Sequence, residues 1–444
     1  MARTARTRKR WTIMVYLAGD NDLDSAGVAD LSEMKTVGSS DHLAIVAQFD
    51  RSGSKRQTNR YLLREGTTLA EDVVASLGET DTGDPAVLRD FVTWATTGHP
   101  ADHYMLVIWN HGAGWDDSNL YEGDYFSGAA PPVVRKGAVI ARELASGSPI
   151  RMGTMQAVAK RGRRSLFKST VATMVSSRAI AFDDQAKDFL DNTELKRVLV
   201  DIRRILKRKL DILGFDACLM SMVEVAYQIR DSVSLTCGSE EEEPNDGWPY
   251  DTILKALAAR PSMAPAELAK LVVTKYIASY KPQDGVTLAA ADLSGIGALA
   301  GAVNGLGRVL APALKHAGAR GAIMALRAQV QEYTAPYDQY CDLADLCDLL
   351  VRHVGHPDLN RADLNRAGLE RAGLERACGA VRAALKKVVI AAGAKGTGVA
   401  HSHGISVYFP KKTVSRLYST LDFAKNGGWA SFVEAYTRSV SRRR

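Results

Sequence analysis

Residues 210–225 read Leu210-Asp211-Ile212-Leu213-Gly214-Phe215-Asp216-Ala217-Cys218-Leu219-Met220-Ser221-Met222-Val223-Glu224-Val225. The apolar run 210–215 is short, nearly continuous and closed by Asp216, which predicts a buried strand. The pattern behind it predicts a helix over 219–230. A strand without polar alternation is covered on both faces, as in a parallel sheet flanked by helices. Cys218 then sits at a strand's carboxyl end, where α/β sheets build their sites. A helix beginning directly behind it would favour the thiolate. A buried structural cysteine is the other reading of the same residue.

Working outward, the same strand signal recurs at 11–18, 42–49, 103–109, 233–237 and 404–409. Helical patterns fill 22–36, 85–97, 192–208, 249–258, 265–281 and 295–315, with a polar start at Thr193 for the third. This alternation predicts an α/β sandwich with a mostly parallel sheet. The strand 103–109 runs into Trp109-Asn110-His111-Gly112-Ala113-Gly114-Trp115. A histidine at a strand end, followed by glycines, offers a proton carrier beside unobstructed backbone N–H groups, which acyl transfer requires. Two parallel strands ending in His111 and Cys218 would bring them to one rim. A histidine that only caps a turn is the plainer alternative.

The chain has 444 residues, 46% hydrophobic and 24% charged. That length fits several domains, or one elaborated α/β domain with a helical appendage. The five cysteines (Cys218, Cys237, Cys341, Cys347, Cys378) are odd in number and irregularly spaced. They do not read as a disulfide framework, and neither they nor His401 and His403 have zinc-ligand spacing. The start MARTARTRKR is basic, but the run WTIMVYLAG behind it leads into Asp20-Asn21-Asp22 without a cleavage pattern. It reads as the first core strand. No apolar stretch is read as a membrane span, and a cytoplasmic protein is expected.

Net charge is +7, and residues 131–178 hold ten Lys/Arg against the single acid Glu143. The excess therefore belongs to one segment, not to the whole chain. Residues 116–178 are Gly/Ser/Pro-rich and then basic, an unusual interruption of a compact domain. A period-five repeat, LNRAD-LNRAG-LERAG-LERAC, spans 359–378. Its leucines would spread around a helix axis without forming a stripe, and it is assigned no function.

Four blocks resemble the clostripain family of cysteine peptidases, which share the caspase-like fold: 14–23 with Asp30-Leu31 and Glu33-Met34; 48–53 with 58–61; 101–115; and 211–222. Weaker echoes lie at Phe182-Asp183-Asp184, Leu190, Glu194-Leu195 and 404–410. The resemblance implies a caspase-like sandwich, with a mostly parallel central sheet flanked by helices, as catalytic core over 11–255. Residues 116–178 would be an activation linker inserted in it. An Ala-rich helical part over 256–444 would follow, with a returning strand at 404–409.

The resemblance further implies His111 as general acid/base and Cys218 as nucleophile, with the Gly112 and Cys218 N–H groups as oxyanion donors. Asp216 becomes the acid of a pocket for Arg or Lys, or alternatively a helix N-cap. Asp246 is a second pocket acid, while the run Glu240–Glu243 reads as a solvated loop. Asn110 stands where an acid is expected in many relatives. The surroundings of Cys218 lack the caspase QAC[RQG]G pattern, which disfavours cleavage after Asp. Processing between His111 and Cys218 is implied, with Arg135-Lys136, Lys160-Arg161 and Arg163-Arg164 as candidate cut sites. Cutting would be by the protein itself or by an upstream protease. No cofactor is required by this reading; calcium is a candidate through Asp183, Asp184, Asp188 and Asp191. Protein or peptide substrates with Arg or Lys are the expected partners. Two rivals remain: a catalytically silent caspase-like regulatory module, and a nucleic-acid-binding scaffold, which explains the charge but not the blocks at the two strand ends.

Overall fold

The computed structural model describes residues 8–21, 23–53, 57–110, 112, 114–115, 167–168, 189–333, 339–354, 371–425 and 427–441. Its strands are β1 (Lys9–Gly19), β2 (Leu43–Arg51), β3 (Asn59–Leu62), β4 (Val73–Ser76), β5 (Ala101–Trp109), β6 (Phe167–Lys168), β7 (Phe189–Leu190), β8 (Leu210–Asp216), β9 (Val233–Gly238), β10 (Val286–Asp292), β11 (Glu332–Tyr333), β12 (Tyr340–Asp342), β13 (Val389–Lys395) and β14 (Ser406–Tyr408). A nine-stranded sheet runs in the order β13-β10-β9-β8-β5-β1-β2-β3-β4. Its middle, β9 to β2, is parallel. Antiparallel strands finish both edges.

The apolar runs of the middle strands are buried on both faces because each face has its own core. In β1, Trp11, Ile13, Val15 and Leu17 enter one core, while Met14, Tyr16 and Ala18 enter the other. Helices Asp24–Lys35, Tyr250–Ala259 and Pro265–Ser279 cover the first face through Leu31, Met34, Leu254, Leu257 and Val272. Helices Pro85–Gly98, Asn192–Leu206, Val223–Ile229 and Ile296–Ala313 cover the second through Leu88, Phe91, Leu199, Val223 and Val303. At about 1.5–3 kcal/mol for each large apolar side chain removed from water, these two layers supply the main force closing the sandwich. The mixed α/β architecture with its largely parallel core is the one the sequence predicts.

Several boundaries differ from expectation. The helix expected at 219–230 begins only at Val223, because residues 217–222 form a turn and a short bridge to Ser406. Helix Asn192–Leu206 is capped not at Thr193 but by Asp191, whose carboxylate accepts from the Thr193 and Glu194 N–H groups while Glu194 reaches back. Such a box stabilises by about 1 kcal/mol. The part after residue 256, expected to be helical with one returning strand, supplies β10 and β13 to the main sheet. The returning strand itself, β14, joins β11 and β12 in a separate small sheet. Ile296–Ala313 has the length and apolarity of a membrane-crossing helix, which the sequence reading passed over; half of it is buried, and it packs on Arg371–Val388 and Gly428–Ser441. Of the repeat, the part from Arg371 lies on helix Arg371–Val388, and the rest is outside the described residues.

Candidate active site

The carboxyl ends of β5 and β8 lie side by side. The ladder pairs Trp109 with Asp216, and the next bond runs from the Asn110 N–H to the Asp216 carbonyl (3.3 Å). One step further, Gly112 meets the Cys218 backbone so closely that a Cβ there would fall 2.1 Å from the Cys218 carbonyl oxygen. Only glycine fits this approach. His111 itself lies outside the described residues. Asn110, in the place where an acid was expected, is buried and donates through its side-chain amide to the Ala18 carbonyl (2.7 Å), tying β5 to the end of β1.

Cys218 is a free, half-buried thiol. The Glu243 N–H donates to its Sγ at 3.2 Å, and the Gly112 N–H also faces the sulfur. Burial, and then the negative charge of Glu242, push the thiol well up; the Glu243 and Gly112 N–H groups oppose this only in part. The described surroundings of the sulfur therefore favour the thiol over the thiolate expected from a helix N-terminus. The physical reason is the four residues between Cys218 and Val223, which remove the helix end from the sulfur. That turn holds Leu219 at φ +67°, an uncommon conformation for a branched side chain. It is pinned by the Leu219 N–H to the Glu241 carbonyl (3.2 Å) and the Ser221 N–H to the Ser239 carbonyl (2.8 Å).

Asp216 is not a helix cap. It is buried at 4% exposure beneath the turn, and its Oδ2 accepts from the Tyr250 hydroxyl (2.7 Å) and the Trp248 N–H (3.3 Å). Gly247, at φ +57°, lies over it; a Cβ there would stand 3.2 Å from both carboxylate oxygens. Burial raises Asp216 to about 6, with the Tyr250, Glu243 and Trp248 bonds opposing. Glu243, placed by the sequence in a solvated loop, is buried, and burial followed by the charge of Asp216 raises its carboxyl far above the usual carboxylate range. Glu240 is buried as well, accepting from the Gly404 N–H at 2.7 Å, while Glu241 and Glu242 are half-buried. Asp246, the other expected pocket acid, is exposed on the same rim, close enough to raise Asp30 and Tyr280.

Asp30 and Tyr250 were missed. Yet Gly27, Asp30, Leu31 and Met34 all share the buried face of helix Asp24–Lys35, so an acid on an apolar stripe was a readable signal. Burial raises Asp30 to about 9, then Asp216 and Glu33 add to the shift, against a bond from the Trp109 indole. The folded-state pKa lies above the unfolded value, so the folded chain binds the extra proton. Stability from this group is greatest below pH about 4 and is lost as pH rises toward 9. Asp30→Asn keeps an acceptor for the indole and removes the titration. Its unfolding free energy should therefore exceed the wild type's by an amount that grows from pH 5 to pH 9, reaching about 1–3 kcal/mol. A difference that stays constant across this range would contradict the assignment.

Arg135, Lys136, Lys160, Arg161, Arg163 and Arg164 lie outside the described residues, as do Asp183, Asp184 and Asp188. Asp191, the remaining calcium candidate, uses its carboxylate to cap a helix. Among the described residues no cluster of His, Cys, Asp and Glu is arranged to hold a metal ion.

Comparison with known proteins places this rim in context. A model of the clostripain family, Peptidase C11, matches residues 15–124 and 167–436, leaving 125–166 between the two matched parts. Clostripain from Hathewaya histolytica is 26% identical over 279 residues, covering 56% of this chain and 42% of that relative, so the match spans less than half of its length. A secreted C11 cysteine protease from Bacteroides thetaiotaomicron, solved with an irreversible peptide inhibitor, superposes with a TM-score of 0.58 at 20% identity, over 95% of this chain and 99% of that one. An inactive zymogen C11 protease from Parabacteroides distasonis gives 0.60 at 19% identity, over 95% and 98%. These structures share the fold. The family model covers well over half of the sequence, and the chain belongs to the clostripain family.

Proposed function

We propose that the chain is a cysteine endopeptidase cleaving after Arg or Lys, made as a zymogen and opened by a cut in the basic segment between His111 and Cys218. The carrying observation is the meeting of β5 and β8, which sets Gly112 against Cys218 directly above the buried Asp216. The neighbours of His111 on both sides, Asn110 and Gly112, are held against Asp216 and Cys218, which supports His111 as the proton carrier. His111 takes the thiol proton, and the thiolate attacks the scissile carbonyl carbon. The oxyanion forms beside the Gly112 and Cys218 N–H groups. His111 returns the proton to the departing amine, leaving a thioester. Water attacks the thioester, passing a proton to His111, and the C–S bond breaks to restore the thiol.

All six candidate processing residues fall inside 125–166, the part the family model leaves unmatched. The zymogen reading rests on that segment's charge and on the inactive zymogen among the similar structures. A fluorogenic peptidyl-Arg substrate tests the activity directly. Hydrolysis should follow Arg and Lys, fail after Asp and Leu, and stop when a thiol alkylator is added. Hydrolysis that resists alkylation would overturn the nucleophile. A chain that remains inert after limited cutting within 125–166 would favour a silent regulatory module.

A further inference from the structure

Trp115 ends the described part of the loop that carries His111, and nothing in the mechanism above uses it. Its ring is buried against two tyrosines of the C-terminal part. Tyr408, on β14, stands edge-on at 85° with ring centroids 4.7 Å apart, and Tyr418 is tilted at 48° with centroids 4.8 Å apart. The two tyrosine rings also meet each other, at 4.7 Å. These spacings are those of favourable aromatic pairs. Among the described residues the Trp115 indole N–H has no hydrogen-bond partner, so packing and not a polar bond holds the ring. The box is tied in turn to the cysteine's side of the site. Glu224 lies on helix Val223–Ile229, behind the turn that follows Cys218. Its Oε1 alone accepts from both the Tyr408 N–H (3.0 Å) and the Tyr418 hydroxyl (3.1 Å). Gly114 lies on that same turn: a Cβ there would fall 2.8 Å from Met222 Sδ and 2.9 Å from the Tyr340 ring. Ser406, on the same strand as Tyr408, donates its N–H to the Ser221 carbonyl (2.9 Å), and Ser221 Oγ donates to the Gly404 carbonyl (2.6 Å). The segment 404–418 thus touches the histidine loop and the cysteine turn at once.

We infer that Trp115 is a positioning residue for the proposed reaction: its seat between Tyr408 and Tyr418, fixed to the cysteine's helix by Glu224, sets the distance between the His111 loop and the Cys218 turn. Pairing of β5 with β8 fixes only the start of the loop. Its far end is fixed by the seat and by the Asn192 side-chain amide, which donates to the Trp115 carbonyl (3.1 Å). A base must stand within hydrogen-bond reach of its thiol, and a displacement of about 1 Å costs roughly a hundredfold in rate. A cut within 125–166 severs the covalent link behind Trp115 between the histidine's chain and the cysteine's. Every residue of the seat lies outside that segment, so the seat survives the cut and keeps base and thiol in register.

The inference rests on the peptidase reading for the role of His111, and its test separates the two. Two rates are read on the full chain and each variant, beside the melting temperature. One is hydrolysis of peptidyl-Arg after limited cutting within 125–166; the other is alkylation of Cys218 by iodoacetamide against pH, located by peptide mass. Trp115→Leu keeps an apolar side chain but no ring. It should lower kcat at least about a hundredfold and change KM less than about threefold, because a displaced base weakens the transition state and not substrate binding. Its alkylation profile should move to that of His111→Ala. Trp115→Phe restores ring contacts and has no polar bond to replace, so it should recover kcat to within about tenfold of the unsubstituted chain. Glu224 supplies a second pair of variants should Trp115→Leu fail to fold. Glu224→Gln keeps an oxygen for both bonds and should retain kcat within about threefold, whereas Glu224→Leu removes it and should behave as Trp115→Leu. Leucine variants that melt lower yet keep kcat and the unsubstituted alkylation profile would overturn the positioning role. No hydrolysis by the unsubstituted chain, beside alkylation that both His111→Ala and Trp115→Leu alter, would sink the peptidase and leave the positioning role standing. Alkylation unaltered in His111→Ala would sink both.

Discussion

Cys218→Ala should lower hydrolysis of a peptidyl-Arg substrate by at least about a thousandfold while the chain still folds. The substitution removes only Sγ, which accepts from the Glu243 N–H at 3.2 Å, faces the Gly112 N–H and donates to the Glu243 carbonyl at 3.8 Å. The half-buried thiol makes no disulfide, so the stability cost is limited to about 1 kcal/mol. His111→Ala should match it within about tenfold, because a thiol pushed up by burial and by Glu242 is inert until a base removes its proton. This makes the base more important here than in a site that already holds thiolate. It also predicts that the rate of alkylation of Cys218 rises steeply with pH and falls in His111→Ala. Intact mass analysis of the same proteins reports on processing. A Cys218→Ala chain that stays uncut, while the unsubstituted chain is cut within 125–166, identifies self-processing. A cut Cys218→Ala chain identifies another protease. Full peptidase activity in Cys218→Ala would end the assignment, whatever the state of the linker.

The sheet was legible because its signal is local. Near-continuous apolar runs such as 11–18 and 103–109 need two covered faces, and the two cores on either side of β1 and β5 supply them. The edge strands were not legible. Asn59–Leu62 and Val73–Ser76 are four residues each and partly exposed, and the first is placed by β2 and the second by the first, not by their own pattern. β13 reads as Val389-Ile390-Ala391-Ala392-Gly393-Ala394-Lys395, composition that suits a helix equally well until β10 fixes it. At the site, Cys218, Gly112 and Asp216 could be found because they sit in the strands' own ends. Glu243 could not: four consecutive glutamates read as a solvated run. Which of them turns inward depends on Ser239 and the Glu240 and Glu241 N–H groups bonding to Thr287 on β10, a strand almost fifty residues away in sequence. That anchor accompanies the burial of Glu240 and Glu243, while Glu241 and Glu242 stay half-buried.

Asp216→Asn separates charge recognition from architecture. Asparagine preserves the shape of the side chain and keeps an oxygen for the Tyr250 hydroxyl and the Trp248 N–H. It removes a carboxyl that burial has already raised to about 6. The folded-state pKa again exceeds the unfolded value, so Asp216 costs stability as pH rises from about 4 through 6 and beyond. The variant should therefore melt no lower than wild type at neutral pH, and relatively higher as pH increases. Catalysis should respond in the opposite direction. An Arg side chain entering the site loses a charge-assisted partner in a dry pocket, which typically costs about 3 kcal/mol, or roughly a hundredfold in kcat/KM. A substrate with the uncharged isostere citrulline at the same position has no such contact to lose, and its kcat/KM should change by less than about threefold. The ratio of the two substrates is the decisive quantity. A structural role for Asp216 would depress both equally and lower the melting temperature with them. A hundredfold fall confined to Arg, in a protein at least as stable as the original, is what a buried specificity acid produces.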